Sequence, residues 1–417
     1  MAPDTTIKIA VLGGSSVGTP ELVNALRRLG TPRRPIELVL HGRTPDKLEP
    51  VTNAARILAQ GCEWLRVRST TVLEEAAAGA EIILNQVRVG GLAARKFDET
   101  FPIQFGVPGE ETIGPGGYAN ALRTVPTVVR IGQELERYAP SALILSFTNP
   151  ASVIQYALAK TTRLCLIGLC DGPIIMKRWA AAALETEADA LVVDYVGMHH
   201  YGFITRVFHD GADVTEAMLA GLERVTALDM DVEIVRSLGA LPTPYFKYFL
   251  HPDRILERQR GKQSRAEQLL AVEAELLAEY AALTGPPSGL AKRSANWYDN
   301  IIAPVVMALI NGGTHPFILN VSNETAHPWL PADAIIETPC VIEQGVVRPL
   351  YMPPPSPELM ARIQHNCAYE QLMVEAFLEG SQVKALRALL MNPLVPNAAV
   401  ARDILHMIWP AAEPREL

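Results

Sequence analysis

The sequence predicts an α/β protein in which a parallel sheet, covered by helices on both faces, fills the first half and a smaller α+β part follows. Three observations predict it. Short β-branched runs at 7–12, 36–41, 81–86, 142–146 and 164–169 read as strands. Helix-length amphipathic stretches beginning near Thr19, Asp46, Val72 and Tyr118 separate them, the alternation that builds βαβ units. Beyond Asp171 the alternation breaks down. The first helix carries Pro20 and Glu21 in its opening turn, where a missing N–H is harmless and a negative charge is favourable. In the second half, 191–197 and 202–208 still read as strands. The rest reads as mostly helical, with long candidates at 263–283 and 357–378 and proline-rich connectors at 285–288 and 352–357. On this pattern the chain divides into residues 1–196 and a mostly helical 197–417.

Composition removes several function classes. The 417 residues are 49% hydrophobic and 20% charged, ordinary for a globular protein and unlike a disordered, collagenous or coiled-coil chain. Lys+Arg number 37 against Asp+Glu 45, a net charge of −8, and no basic block stands out, so no nucleic-acid partner is expected. Any anionic ligand has to be held by local positive charge. The five cysteines, Cys62, Cys165, Cys170, Cys340 and Cys367, form an odd set without a C-x-x-C pair. That fits neither a disulfide framework nor a structural zinc site and points to a reducing, cytoplasmic setting. Residues 1–12 lack a basic segment followed by an apolar one and a cleavage site, so no export is expected. The apolar stretch 300–310 contains Pro304 and is far shorter than the ~20 residues of a membrane span. It reads as a buried helix, and no membrane partner is expected.

After the first strand, Gly13-Gly14-Ser15-Ser16-Val17-Gly18 leads into the first helix. Such a loop lets backbone approach a pyrophosphate while the helix N-terminus supplies partial positive charge. Gly13, Gly14, Ser15, Ser16 and Gly18 are therefore candidates for a dinucleotide site, making 1–196 the dinucleotide-binding part and 197–417 the substrate and metal part; a bland turn is the alternative. At the end of the second strand the sequence reads His41-Gly42-Arg43-Thr44, where an acidic residue for the ribose of NAD is usual. Arg43 is what a 2′-phosphate needs, which keeps NADP open beside NAD. Past later strand ends lie Arg88, Arg95 and Asn149, placed where ligands of open α/β sheets bind. The stretch from Glu110 to Gly117 reads as a loop too glycine-rich for a helix.

Cys170 and Asp171 follow the 164–169 strand directly, and His199-His200 ends another strand-like run. Alone, a cysteine there is a small buried hydrophobe. With His200 it forms a two-residue ligand set that leaves positions for substrate oxygens and water, the openness a catalytic metal requires. Tyr245 lies in an aromatic cluster behind Pro242 and Pro244. It reads as core packing, or as a phenol that a nearby cation turns into a base. Arg265 opens a helix and reads as a solvated charge.

Taken together and in order, these motifs resemble glycoside hydrolase family 4, the NAD- and divalent-metal-dependent 6-phospho-α/β-glucosidases with their α-glucosidase and α-galacturonidase relatives. The resemblance rests on the Gly13 loop, Arg88-Val89-Gly90-Gly91-Leu92, Glu111 to Gly117, Phe147-Thr148-Asn149-Pro150, Gly168-Leu169-Cys170, His200, Pro244-Tyr245, Lys292-Arg293 before Tyr298, and Asn392-Pro393-Leu394-Val395-Pro396. It implies a Rossmann-type, lactate/malate dehydrogenase-like fold and NAD with Mn2+ or another divalent cation as cofactors. Cys170 and His200 become the metal ligands, Tyr245 the base and Asp171 the leaving-group acid. Arg95, Asn149 and Arg265 occupy positions resembling sugar-phosphate contacts, and Arg293 joins them among the substrate-binding residues. The implied reaction oxidises the sugar transiently at C3, removes the C2 proton, eliminates the aglycone and adds water, unlike the two-carboxylate glycosidases. A homodimer or homotetramer is implied as well. Several residues depart from the family pattern: Glu110 stands where Gln is usual, His199 where Asn is common, and 293–295 and 321–325 are altered. An unphosphorylated α-glycosidase or α-galacturonidase of the same family stays open, as does an NAD(P)-dependent 2-hydroxy-acid or sugar dehydrogenase on the same scaffold.

Overall fold

A computed structural model describes residues 5–409; the opening residues of the stretch read above for export signals lie outside them. Six strands form a parallel sheet: β1 (Ile7–Leu12), β2 (Ile36–His41), β3 (Leu65–Thr70), β4 (Ile82–Asn85), β5 (Leu143–Ser146) and β6 (Cys165–Gly168), in the order 3-2-1-4-5-6. This is the doubly wound dinucleotide-binding order, with its switch point between β1 and β4. β1 and β2 are buried almost throughout, as a sheet covered on both faces demands. The covering helices are α1 (Pro20–Arg28), α2 (Pro45–Ala59), α3 (Leu73–Ala77), α4 (Gly91–Thr100), α5 (Gly114–Tyr138), α6 (Ala151–Thr161) and α7 (Gly172–Leu184).

A second, smaller sheet contains β7 (Leu191–Met198), β8 (Tyr201–His209), β9 (Ala212–Asp213) and β10 (Leu241–Pro242). The boundary drawn at 196/197 thus falls inside β7. The chain then returns to the large sheet with β11 (Thr314–Ser322), β12 (Ile335–Glu343) and β13 (Val346–Pro349), all antiparallel, β11 pairing with β6 through Asn320 and Gly168. The remainder is therefore less helical than its sequence predicts, and its strands complete the sheet of the first half. The expected helices do form, at Arg265–Ala281 and Pro357–Glu379. The 300–310 stretch is a buried helix that begins with a π turn, Tyr298–Ile302, and continues as Ala303–Asn311.

One correction bears on the site. The glycine-rich stretch after Glu110 is a loop only to Ile113; from Gly114 it is the first turn of α5. A Cβ on Gly116 would stand 2.1 Å from the Glu110 carbonyl oxygen and 2.3 Å from that of Asp98, so the glycine lets the loop lie directly on the helix start. Close approach, not flexibility, explains the composition. The five cysteines are all unpaired, and no helix among the described residues is long and apolar enough to cross a membrane.

Candidate active site

At the switch point the Gly13–Gly18 loop is built for closeness. Gly13 adopts φ +82°, and a Cβ there would meet the Gln86 carbonyl oxygen at 2.8 Å. The Gly14 N–H donates to the carbonyl of His41 at 2.8 Å, tying the loop to the end of β2. From β4's end the Gln86 amide donates to the Gly13 carbonyl (3.2 Å) and the Thr19 hydroxyl (3.0 Å), while the Tyr298 hydroxyl donates to Gln86 Oε1 (2.7 Å). Thr19, Pro20 and Glu21 then open α1, so the loop presents backbone at a helix N-terminus, with the Ser15 and Ser16 side chains half-buried beside it. Arg43, just past β2, is exposed and has no carboxylate partner among the described residues.

The second cluster forms where β6 and the β7–β8 hairpin converge. Cys170 follows β6, is buried, and its Sγ accepts the Gly172 N–H at 3.3 Å. Met198 pairs with Tyr201, so His199 and His200 are the two-residue turn of the hairpin. His200 sits at φ +62°, a strained conformation of the kind found at functional sites. Its carbonyl accepts the Thr243 hydroxyl at 3.0 Å, which holds the turn against the Pro244-Tyr245 segment. Donor atoms of Cys170, His199 and His200 all lie within 4.8 Å of one another. The His200 ring is sandwiched, 3.6 Å from His199 on one face and 3.5 Å from Tyr245 on the other. Burial keeps this end neutral: it pushes the His199 imidazole down to about 3, drives His200 well below its usual value, and raises the Cys170 thiol and the Tyr245 phenol. Neutral imidazoles are what a cation needs as ligands.

Two carboxylates stand behind these donors. Glu337 on β12, pushed up to about 7 by burial, lies against Cys170 and accepts from the Tyr195 hydroxyl and from Asn320 Nδ2 (3.0 Å). Glu110 is hydrogen-bonded to Thr112, whose hydroxyl is 2.9 Å from His200 Nδ1.

The third cluster is positive. Arg95 on α4 pairs with Glu99 (2.6 Å) and Glu111 (2.9 Å), and Arg88 also pairs with Glu111. Burial works against the Glu111 carboxylate, but Arg88 and Arg95 outweigh it and hold the group below its usual range. Arg293 lies over the Trp297 ring at 4.8 Å and has no carboxylate partner among the described residues. Burial first, then Arg88 and Arg95, pulls its guanidinium down to about 10. Arg265, exposed at its helix start, adds to the same field.

A cavity of about 440 Å³ lies beside the second and third clusters, with Arg95, Glu110, Asp171, Tyr245, Lys247 and Arg265 in its wall and Cys170, His199, His200 and Arg293 just outside its lining. Its size suits a sugar-sized ligand. The structure thus brings together Cys170, His200, Tyr245, Asp171, Arg95 and Arg265, with Arg293 electrostatically coupled to them. Asn149 stays outside the cavity wall; its carbonyl accepts from Asn120 Nδ2 at 3.3 Å. Sequence reasoning passed over His199 as a donor, Thr112 as a partner of His200 and Glu337 behind Cys170. For His199 the signal was present in its adjacency to His200; the other two contacts join distant segments and leave no local trace.

Residues 8–186 match the model of the family 4 glycosyl hydrolases, and residues 195–395 match the C-terminal domain of that family. The 6-phospho-beta-glucosidase BglT of Thermotoga maritima is 30% identical over 410 residues, spanning 97% of this chain and 98% of its own. The structure of the T. maritima 6-phospho-beta glucosidase with manganese, NAD+ and glucose-6-phosphate aligns with TM-score 0.87 at 29% identity, over 97% of this chain and 98% of that one. A 6-phospho-alpha-glucosidase from gut microorganisms, in complex with NAD and glucose-6-phosphate, aligns with TM-score 0.89 at 26% identity over 98% of each chain. Malate dehydrogenase from Plasmodium falciparum, 13% identical with TM-score 0.53 over 90% of this chain, shares the fold alone.

Proposed function

The chain belongs to family 4 of the glycosyl hydrolases, and from that premise we propose that it cleaves 6-phosphorylated glucosides with NAD and a divalent cation. One observation carries the reading: the Cys170, His199 and His200 donors cluster directly behind a cavity wall that Asp171 and the His200-stacked Tyr245 form, and Arg95 and Arg265 line the same cavity. That pairing suits a sugar whose ring hydroxyls meet a cation while its phosphate meets guanidinium groups.

The residues fit both cofactors. A thiol and neutral imidazoles in one buried cluster are a donor set for a transition-metal dication, and they leave coordination positions for substrate. The Gly13 cradle, where a Cβ would strike Gln86, suits a pyrophosphate at the α1 N-terminus. When bound, the dinucleotide supplies reversible oxidation of the sugar and the cation supplies Lewis acidity that eases deprotonation next to the new carbonyl.

Within that setting, Cys170 and His200 hold the cation, and His199 is a third donor within reach. Tyr245, stacked on His200 and in the cavity wall, takes the proton from the sugar C2. Asp171, in the same wall one residue past Cys170, gives a proton to the departing oxygen. Arg95, Arg265 and Arg293 orient the 6-phosphate, and Glu111 spaces Arg88 and Arg95 around it. The test is a panel of p-nitrophenyl α- and β-glucosides, with and without the 6-phosphate, run with Mn2+ and with NAD+ or NADP+. Nitrophenol release from a 6-phosphorylated member is the expected result. NADH accumulating without nitrophenol, or equal cleavage of unphosphorylated members, would reject the proposal.

A further inference from the structure

The hydrogen bonds behind His200 fix which of its nitrogens carries the ring proton. Glu110 Oε2 accepts two backbone N–H groups, those of Thr112 (2.5 Å) and Ile113 (3.0 Å). A backbone N–H can only donate, so this oxygen is an acceptor, and the Thr112 hydroxyl bonded to the same oxygen has to donate to it. Its one hydrogen is then committed. Toward its other partner, His200 Nδ1 at 2.9 Å, the hydroxyl oxygen can only accept. Nδ1 therefore carries the ring proton, and the Nε2 lone pair is free. The ring has little freedom to escape this arrangement, clamped between His199 and Tyr245 with its own carbonyl held by Thr243.

We propose that Glu110 is a positioning residue which, through Thr112, locks His200 in the Nδ1–H tautomer and so presents Nε2 to the divalent cation. The second half of this inference rests on the cation reading of the Cys170–His200 cluster. Glu110 stands where the family pattern has Gln. An amide oxygen can accept the same three bonds, but an amide can also turn its NH2 toward Thr112 and reverse the chain. The acid, whose carboxyl burial raises to about 7, does so only by placing a proton on an oxygen that already faces two backbone N–H donors. Outer partners that set a ligand's tautomer and orientation are worth about ten- to hundredfold in metal affinity.

Two measurements on the full-length apo chain test this, neither of which uses substrate. Nitrogen-15 NMR of labelled histidine reads the His200 tautomer, and calorimetric titration with Mn2+ alone reads affinity. The unaltered chain should show His200 as Nδ1–H. Thr112→Val, which keeps the shape and removes the hydroxyl, should shift the ring toward Nε2–H and weaken Mn2+ binding by about ten- to hundredfold, with Glu110→Ala acting in the same direction. Glu110→Gln should restore the tautomer and bring Mn2+ affinity back to within about threefold. Dinucleotide binding by each variant confirms that it folds. A ring that stays Nδ1–H in Thr112→Val overturns the lock, and a changed tautomer with unchanged Mn2+ binding overturns its purpose. Failure of the glycosidase reading shows separately, in the glucoside panel.

Discussion

The two sides of the site solve opposite problems. At the Cys170–His200 end, three rings are stacked, every donor is buried, and the environment holds imidazole, thiol and phenol neutral. At the arginine end, charge is kept, and Arg88 and Arg95 are matched by carboxylates, Arg88 by Glu111 and Arg95 by Glu99 and Glu111. The contrast is one of compensation. Neutral ligands can wait for a cation without compensation, whereas buried cations cost several kcal/mol unless paired. Arg293 departs from that pairing: it lies over Trp297 without a carboxylate partner among the described residues, and burial beside Arg88 and Arg95 pulls its guanidinium down to about 10.

The sharpest way to break this comparison is at the neutral end. Cys170→Ser replaces the soft thiolate donor with a hydroxyl, and Mn2+-dependent glucoside cleavage should fall by more than about a thousandfold, since a metal supplies several kcal/mol of transition-state stabilisation. Initial rates at saturating Mn2+ check it; turnover unchanged by the substitution would remove Cys170 from the metal centre.

The charged end should respond differently. Arg293→Ala removes a guanidinium that has no carboxylate partner among the described residues, so no ion pair is broken. KM for a 6-phosphorylated glucoside should rise by roughly ten- to hundredfold, the worth of one charge-assisted hydrogen bond, with kcat less affected. Rates on the unphosphorylated counterpart should hardly move. Equal losses on both substrates would show that Arg293 packs against Trp297 and does nothing for phosphate.

Much of this site was readable in sequence because its residues sit at strand ends. The runs 7–12 and 36–41 coincide with β1 and β2, which placed the Gly13 loop and Arg43 at the sheet edge, and the 164–169 run placed Cys170. The antiparallel extension was not readable. Pro316, Pro339 and Pro349 lie within β11, β12 and β13, and a proline in a strand reads as a breaker. With those strands unseen, Glu337 had no route to Cys170. The Thr112–His200 contact was invisible for another reason, since it joins a loop before α5 to a hairpin 88 positions later. Arg265 reads as a solvated charge until the helix it opens is packed beside α4; there Glu99, which pairs with Arg95, also accepts the Ala266 N–H at 2.7 Å.

A third arginine position sharpens the contrast more gently. Arg43 is exposed at the nucleotide edge, where the strand end offers no carboxylate for a ribose. NADP+ should bind at least as tightly as NAD+. Arg43→Ala should weaken NADP+ by about five- to tenfold, the scale of an exposed ion pair, while leaving NAD+ nearly unchanged. Fluorescence titration of both dinucleotides decides it, and a parallel loss for the two would mean that Arg43 does not read the 2′ position.

The smallest effect tests the neutrality of the imidazole cluster itself. Glu370 is buried beside a small cavity that His199 also lines, and it accepts from Asn366 Nδ2 at 3.0 Å. Burial raises its carboxyl to about 7, more than the Asn366 hydrogen bond can lower it. An unfolded glutamate releases its proton near 4.5, so between about 4.5 and 7 the folded chain holds a proton that the unfolded chain has lost. The native state is favoured on the acid side of that window and loses stability as pH rises through it, by at most about 3 kcal/mol. Glu370→Gln stays neutral at every pH and should escape the loss. Its melting temperature should exceed that of the unaltered chain by roughly 3 °C near pH 8, and the gain should vanish near pH 5. If the variant melts lower at both pH values, Glu370 is ionised in the folded protein, and the surroundings of His199 tolerate charge after all.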